Sequence, residues 1–134
     1  MTDFIIKFLV AGTIMGIIDA VWLVIVANKF YKNNIGTLLL EKPNMVAAVA
    51  FYIIYVIGIV VFALNPALED GMWQTALWMG ALFGLVAYAT YDLTNLATLK
   101  KWSQKVVYVD MAWGAALTGA VATISYFIVS AWGI

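Results

Sequence analysis

Three residue types that carry much of protein chemistry are missing from this chain. It contains no cysteine and no histidine, and all seven of its basic residues are lysines, so arginine is missing too. Without cysteine and histidine, the chain can form no disulfide, and it lacks thiol nucleophiles, imidazole acids or bases and the usual ligands of zinc and haem. We therefore expect neither a metal site nor a cofactor.

Charge is scarce as well. Only 10% of the 134 residues are charged and 66% are hydrophobic, which is more apolar surface than a soluble domain of this size can cover. The formal net charge is zero, so nothing indicates nucleic acid as a partner. The composition predicts an integral membrane protein that is surrounded by membrane lipids.

Four apolar stretches divide the chain, at approximately residues 4–28, 44–64, 72–99 and 106–132. Each is close to the ~20 residues that cross the hydrocarbon core as a helix, and none alternates in the manner of a transmembrane barrel strand. The first stretch is too long for a signal peptide and carries Asp19 in its middle, so we treat it as retained. We predict an all-α fold, with residues 1–134 forming a single domain, a four-transmembrane-helix bundle.

Orientation follows from the lysines, since short lysine-rich connections stay in the cytoplasm. The second connection carries only Glu69 and Asp70, whereas the first and third connections carry the lysines, namely Lys29, Lys32, Lys42, Lys100, Lys101 and Lys105. We therefore predict a multi-pass protein with both termini outside. Lys7, near the N-terminus, is the exception to this pattern.

Three aspartates interrupt the apolar stretches: Asp19 in the first, Asp92 in the third and Asp110 in the fourth. Counting about 1.5 Å per helical residue places them, together with Tyr52 and Tyr55, roughly 7 to 16 Å from the cytoplasmic ends of their helices. A carboxylate in hydrocarbon is costly unless it is paired, wetted or protonated, so such residues indicate a functional site. We expect one acidic pocket that opens toward the cytoplasm.

Aromatic and amide side chains accompany these aspartates at helical spacing. Trp22 and Trp113 follow Asp19 and Asp110 by three residues, and Tyr88 and Asn95 share one helix face with Asp92. The predicted ligand-binding set comprises Asp19, Asp92, Asp110, Trp22, Trp113, Asn95, Tyr88, Tyr52 and Tyr55. Tyr52 and Tyr55 are equally compatible with ordinary packing, and Asp92 with a structural hydrogen bond to Thr94 or Asn95.

Small residues recur at four-residue intervals in two of the predicted helices. They are Gly12, Gly16 and Ala20 in the first helix and Gly80 and Gly84 in the third. Such spacing lets a neighbouring backbone approach closely in lipid. We interpret both runs as internal packing seams.

One motif resembles a known family. The run Tyr91-Asp92-Leu93-Thr94-Asn95, together with the segments around Asp19-Ala20-Val21-Trp22, Phe51-Tyr52 and Asp110-Met111-Ala112-Trp113-Gly114, resembles a bacterial membrane-protein family, domain of unknown function 2177. The resemblance covers essentially the whole chain. It implies a small protein of the bacterial inner membrane with four spans, and it carries no activity.

Three functions remain open. The leading hypothesis is that an acidic and aromatic pocket binds or transports a cation or a small amphiphile with proton coupling, with a homo-oligomer enclosing the path. The second is a membrane-embedded enzyme that uses paired carboxyl groups on a lipid or isoprenoid. The third is an accessory subunit whose acids pair with a partner helix and which has no activity of its own.

Overall fold

The computed structural model describes residues 2–38 and 44–133, and helices account for almost all of these ranges. We name the α-helices α1 to α6 and the two π-helical segments π1 and π2. In chain order they are α1 (Thr2–Trp22), π1 (Leu23–Ala27), α2 (Asn28–Ile35), a 3-10 turn (Gly36–Leu38), α3 (Met45–Ile59), π2 (Val60–Leu64), α4 (Asn65–Asp70), α5 (Trp73–Thr98) and α6 (Gln104–Ala131).

Four continuous helical stretches are long and apolar enough to cross a membrane. They are span 1 (Asp3–Leu38), span 2 (Met45–Asp70), span 3 (Trp73–Thr98) and span 4 (Gln104–Ala131). The predicted all-α, four-transmembrane-helix class is confirmed. We call the end of the bundle that carries Lys32 and Lys101 the lysine end.

Span 1 is longer than its apolar core. The helix continues past residue 28 through π1 and α2, because no proline or glycine interrupts the chain between Leu23 and Ile35. Lys29 and Lys32, which we placed in the first connection, therefore lie on helix α2. Lys42 lies outside the described residues. The π1 turn holds more residues than an α-helical turn, so it changes which face α2 presents to the bundle.

Polar side chains define the beginnings of the later helices. The Asn44 amide oxygen accepts a hydrogen bond from the Ala47 backbone N–H at 3.1 Å, and the Ser103 hydroxyl accepts one from Val106 at 3.4 Å. Both are N-cap interactions, which satisfy backbone donors that have no partner within the helix. Span 2 and span 3 are joined by a tight turn at Gly71, whose φ of 73° suits a residue without a Cβ.

Spans 3 and 4 form the most extensive helix pair, and glycines allow their backbones to approach. A Cβ added at Gly80 would lie 2.8 Å from the carbonyl oxygen of Thr118, and one added at Gly84 would overlap the carbonyl of Gly114. Span 1 packs across α6 and α3, where the Tyr52 hydroxyl donates to the carbonyl of Gly12 at 2.9 Å. Both glycine runs thus lie against neighbouring helices.

The core occupies the half of the bundle away from the lysine end. Its largest fully buried side chains include Met15, Ile59, Leu64, Leu117 and Val121. At this far end, the ammonium group of Lys7 donates to the amide oxygen of Asn65 at 2.9 Å, which ties the start of span 1 to the end of span 2.

Packing is much looser at the lysine end. Residues 44–51 of span 2 are all exposed, with Val46 at 83%, and π1 exposes Val24 at 80%. In a membrane, such apolar side chains contact lipid. The halves of spans 1 and 2 nearer the lysine end therefore leave room beside spans 3 and 4.

Candidate functional site

Asp92 on α5 and Asp110 on α6 form a carboxyl pair inside the bundle. Asp92 is 0% exposed and Asp110 is 8% exposed, and their carboxyl groups are near neighbours with no hydrogen bond between them in the described part of the chain. Neither oxygen of Asp92 has a hydrogen-bond donor within residues 2–38 and 44–133. The glycine seam explains the pairing, because close backbones bring side chains from the two helices together.

Tyr31 completes this pair. Its hydroxyl donates a hydrogen bond to the Oδ1 atom of Asp110, and the Trp22 side chain approaches the same hydroxyl. Sequence reasoning missed Tyr31, because we ended the first predicted span at residue 28. The available signal was the uninterrupted helix-compatible sequence that follows Asn28.

Asp19 lies beside this pair rather than in it. Its carboxyl group lies near the side chain of Trp113, one helical turn along α6 from Asp110, and within electrostatic range of Asp110. The three predicted aspartates therefore come together in one region. The three aspartates are not equally spaced: Asp92 and Asp110 form a pair, and the Trp113 side chain lies beside Asp19.

The two tryptophans stack on each other. The rings of Trp22 and Trp113 have centroids 4.1 Å apart and planes inclined by 10°. This is direct contact between the two faces, so no cation fits between them. The stack joins span 1 to span 4 and forms a wall next to the carboxyl pair.

Three tyrosines continue the site away from the lysine end. Tyr88 packs on Gly114, where an added Cβ would overlap its ring, and lies within electrostatic range of Asp19, Asp92 and Asp110. Tyr55 packs edge-on against Tyr88, with ring centroids 6.2 Å apart.

The hydroxyl groups of Tyr52 and Tyr55 form hydrogen bonds inside the bundle. The Tyr55 hydroxyl is hydrogen-bonded to Thr118 Oγ1 at 2.6 Å, and the Tyr52 hydroxyl is bonded to the Gly12 carbonyl. Both hydrogen bonds are compatible with the packing interpretation of Tyr52 and Tyr55.

Asn95 lies one turn from Asp92 toward the lysine end and is half-buried. No side-chain hydrogen bond from Asn95 or Thr94 reaches Asp92 in the described part of the chain, and the Thr94 hydroxyl bonds instead to the carbonyls of Thr90 and Tyr91. A local structural role for Asp92 on α5 therefore has no support from its contacts.

A cavity of about 1200 Å³ opens at the lysine end, between span 1 and spans 3 and 4. Of the predicted residues, only Asp110 lines it. The other lining residues were not predicted: Leu23, Val24, Ala27, Asn28, Tyr31, Lys32, Ile35, Gly36, Leu38, Asn44, Tyr91, Trp102 and Val106. The cavity is thus largely apolar, with one carboxyl group in its wall.

Two polar groups in this region, the Trp102 indole nitrogen and the Tyr31 hydroxyl, can form hydrogen bonds with a ligand. The indole nitrogen of Trp102 is buried and has no acceptor among the residues that the structure describes. The Tyr31 hydroxyl already donates a hydrogen bond to the Asp110 carboxyl group, so a ligand that reaches Asp110 must share that carboxyl group with Tyr31.

Metal ions in proteins are commonly held by groups of His, Cys, Asp and Glu side chains. No group of three or more His, Cys, Asp or Glu side chains that could hold a metal ion occurs within the described ranges. A carboxyl pair and phenolic hydroxyls suit a proton or an organic cation better than a transition metal.

These features define an integral membrane protein with four spans and a buried acidic pair beside a cavity. The chain belongs to the family of predicted membrane proteins called domain of unknown function 2177, whose family model matches residues 4–127. This confirms the resemblance seen in the sequence. No curated protein and no solved structure matches the chain.

Proposed function

We propose that this protein binds an amphiphilic organic cation in the cavity at its lysine end and exchanges it for a proton at the Asp92 and Asp110 pair. The observation that carries the proposal is the position of the pair: Asp110 is in the cavity wall, and Asp92 is fully buried behind it. One carboxyl group can meet a ligand while the other stays out of contact with it.

Proton exchange follows from the proximity of the two carboxyl groups. Two negative charges held side by side in a low-dielectric interior repel each other, and desolvation disfavours both. A shared proton relieves the repulsion, and a cation bound at Asp110 relieves it too. The two therefore compete for the same pair.

The cavity walls favour an amphiphile over a simple ion. Apolar side chains from π1 and the 3-10 turn, among them Leu23, Val24 and Leu38, form much of the lining. The volume is above the usual range for pockets that hold drug-sized molecules, which is about 300 to 1,000 Å³. A small hydrated cation would leave most of this apolar surface without contacts.

The setting of the proposal is the bacterial inner membrane, with both termini outside and the cavity open to the cytoplasmic side. Lys29 and Lys32 of span 1, Lys100 and Lys101 of the third connection and Lys105 of span 4 support this orientation. The described core beyond Tyr55 and Tyr88 is closely packed, so a continuous path across the membrane would need rearrangement or a second copy of the chain.

Binding of tetraphenylphosphonium, a lipophilic cation, tests the proposal in purified protein by isothermal titration calorimetry in buffers of different ionisation enthalpy. We expect proton release on binding. Asp110→Asn should weaken binding by about 30-fold or more, since removing one partner of a buried charge contact costs about 2 kcal/mol or more. Asp92→Asn should abolish the proton release.

Glu69→Gln is the matched control, because it removes the same charge from an exposed residue near the end of span 2, on helix α4. Binding with no proton release in the unmodified protein, or equal affinities for Asp110→Asn and Glu69→Gln, would overturn the proposal.

The enzyme hypothesis draws on the same geometry, because adjacent carboxyl groups next to a phenol can serve as acid and base. Mass spectrometry of lipid extracts after incubation with the protein separates the two functions. A new lipid species that forms with the unmodified protein and not with Asp92→Asn would favour the enzyme.

The accessory-subunit hypothesis requires acids that face outward, toward a partner helix. The burial of Asp92 at 0% exposure and Asp110 at 8% argues against it.

A further inference from the structure

The cavity that contains Asp110 also contains the side chain of a lysine. Lys32 and Asn28 lie four residues apart on α2, on one face of the helix, and both line the cavity together with Asn44 from the start of span 2. The cavity therefore presents a carboxyl group on one side and an ammonium group with two amides on another.

These groups differ in depth. Lys32, Asn28 and Asn44 are exposed, whereas Asp110 is 8% exposed. Donor groups thus form the rim of the cavity, and the acidic group lies in its interior wall. A ligand that matches this order has a cationic end that enters and an anionic group that stays at the rim.

The rim lies at the level of lipid headgroups. Span 1 covers 36 residues, or about 54 Å at 1.5 Å per residue, which is longer than a hydrocarbon core of about 30 Å. Helix α2 therefore extends beyond the core at the lysine end. Lysines in this position place their ammonium groups among lipid phosphates.

The cavity is also open to the side. Leu23 is 54% exposed and Val24 80%, and both line the cavity while forming part of the outer surface of span 1. The facing half of α3 is exposed as well. Apolar side chains that continue from a cavity to the lipid-facing surface can contact an acyl chain along its length.

We propose that the occupant of this cavity is a zwitterionic aminophospholipid of the leaflet at the lysine end, such as phosphatidylethanolamine. Its ammonium group contacts Asp110, and its phosphate contacts Lys32 and the amides of Asn28 and Asn44. A two-carbon link joins these two groups in the headgroup, and both partner residues line the one cavity. The acyl chains leave past Leu23 and Val24.

This inference rests on the proposed function for the role of Asp110, and it adds the lipid class and the role of Lys32. Its test uses the full chain in detergent and four probes: dioctanoyl phosphatidylethanolamine, dioctanoyl phosphatidylglycerol, glycerophosphoethanolamine and tetraphenylphosphonium. The second probe lacks the ammonium group, the third lacks the acyl chains and the fourth lacks the phosphate. Affinities are measured by isothermal titration calorimetry.

We expect dioctanoyl phosphatidylethanolamine to bind at least about tenfold more tightly than dioctanoyl phosphatidylglycerol and glycerophosphoethanolamine, because each of these lacks one of the three contacts. Lys32→Gln should weaken binding of the aminophospholipid about tenfold, whereas binding of tetraphenylphosphonium, which has no phosphate for Lys32 to contact, should not weaken. Lys29→Gln is the matched control, because Lys29 is exposed on the same helix and does not line the cavity.

Equal effects of Lys32→Gln and Lys29→Gln, or equal binding of the two phospholipids, would overturn the inference. Binding of glycerophosphoethanolamine as tight as that of the lipid would assign the site to a soluble headgroup and would also overturn it. Failure of tetraphenylphosphonium to bind, with the lipid pattern intact, would overturn the proposed cation exchange alone. Both lysine variants should have the same thermal stability as the unmodified protein, which verifies that they are folded.

Discussion

Substituting alanine for Gly84 should destabilise the bundle, and the size of the effect follows from the contact between spans 3 and 4. A Cβ at this position would overlap the carbonyl oxygen of Gly114 and lie 2.6 Å from Thr118 Oγ1, where ordinary van der Waals contact begins at 3.4 Å. The overlapping group is backbone, so no side-chain rotation relieves it. Spans 3 and 4 must move apart by about 1 Å, which opens their interface.

Two opposing contributions determine the magnitude. Overpacking of a well-packed interface costs typically about 1 to 3 kcal/mol, and a fixed backbone contact belongs at the upper end of this range. Alanine is the better helix former by about 1 kcal/mol, which offsets part of the cost. We expect Gly84→Ala to lower the free energy of unfolding by about 2 kcal/mol.

The measurement is equilibrium unfolding in mixed detergent micelles, followed by near-ultraviolet circular dichroism, to which the stacked pair of Trp22 and Trp113 contributes. Gly36→Ala is the control, because nothing lies within 4 Å of an added Cβ and the backbone there is right-handed helical. This control should be neutral or stabilising by up to about 1 kcal/mol.

A second variant makes the test specific to the backbone contact. Thr118→Ala removes the hydroxyl next to Gly84 but leaves the carbonyl of Gly114 in place, so it should not rescue Gly84→Ala. A Gly84→Ala protein as stable as the unmodified one, or full rescue by Thr118→Ala, would refute the reasoning.

Two further predictions concern the interior and the orientation. Thr118→Val should lower the free energy of unfolding by about 1 to 3 kcal/mol, because it leaves the buried Tyr55 hydroxyl without its hydrogen-bond partner. Adding Tyr55→Phe to this variant should restore most of the lost stability. Additive losses in this double-mutant cycle would contradict the hydrogen bond. Since the chain has no cysteine, Glu69→Cys in intact cells should react with an impermeant maleimide and Lys101→Cys only after permeabilisation. The reverse labelling pattern would invert the predicted topology.

Much of the candidate site could be anticipated because a charged group is expensive in an apolar helix. Asp19, Asp92 and Asp110 stand out in the sequence for that reason, and the structure brings them into one region. The spacing of Gly80 and Gly84 likewise predicted close helix packing, which their contacts with span 4 show.

The parts that escaped prediction depend on rotation about a helix axis. Counting residues gives the depth of a side chain but not its direction, so the pairing of Asp92 with Asp110 could not be distinguished from a symmetric arrangement of three acids. Tyr31 escaped for a related reason, because π1 changes the face that α2 presents, and hydropathy carries no signal for a π-helical turn. The sequence likewise contains no signal that predicts the stacking of Trp22 on Trp113.

Composition and hydropathy by themselves determined the class of protein, the number of membrane spans and the acids of interest. They suffice because lipid forces every spanning backbone to bond within its own helix. Only tertiary structure decided which acids are neighbours, that Tyr31 bonds to Asp110 and that Lys32 shares a cavity with it. These contacts depend on how closely glycines let spans 3 and 4 approach and on how a π-helical turn aims the end of span 1, and both are properties of packed helices in three dimensions.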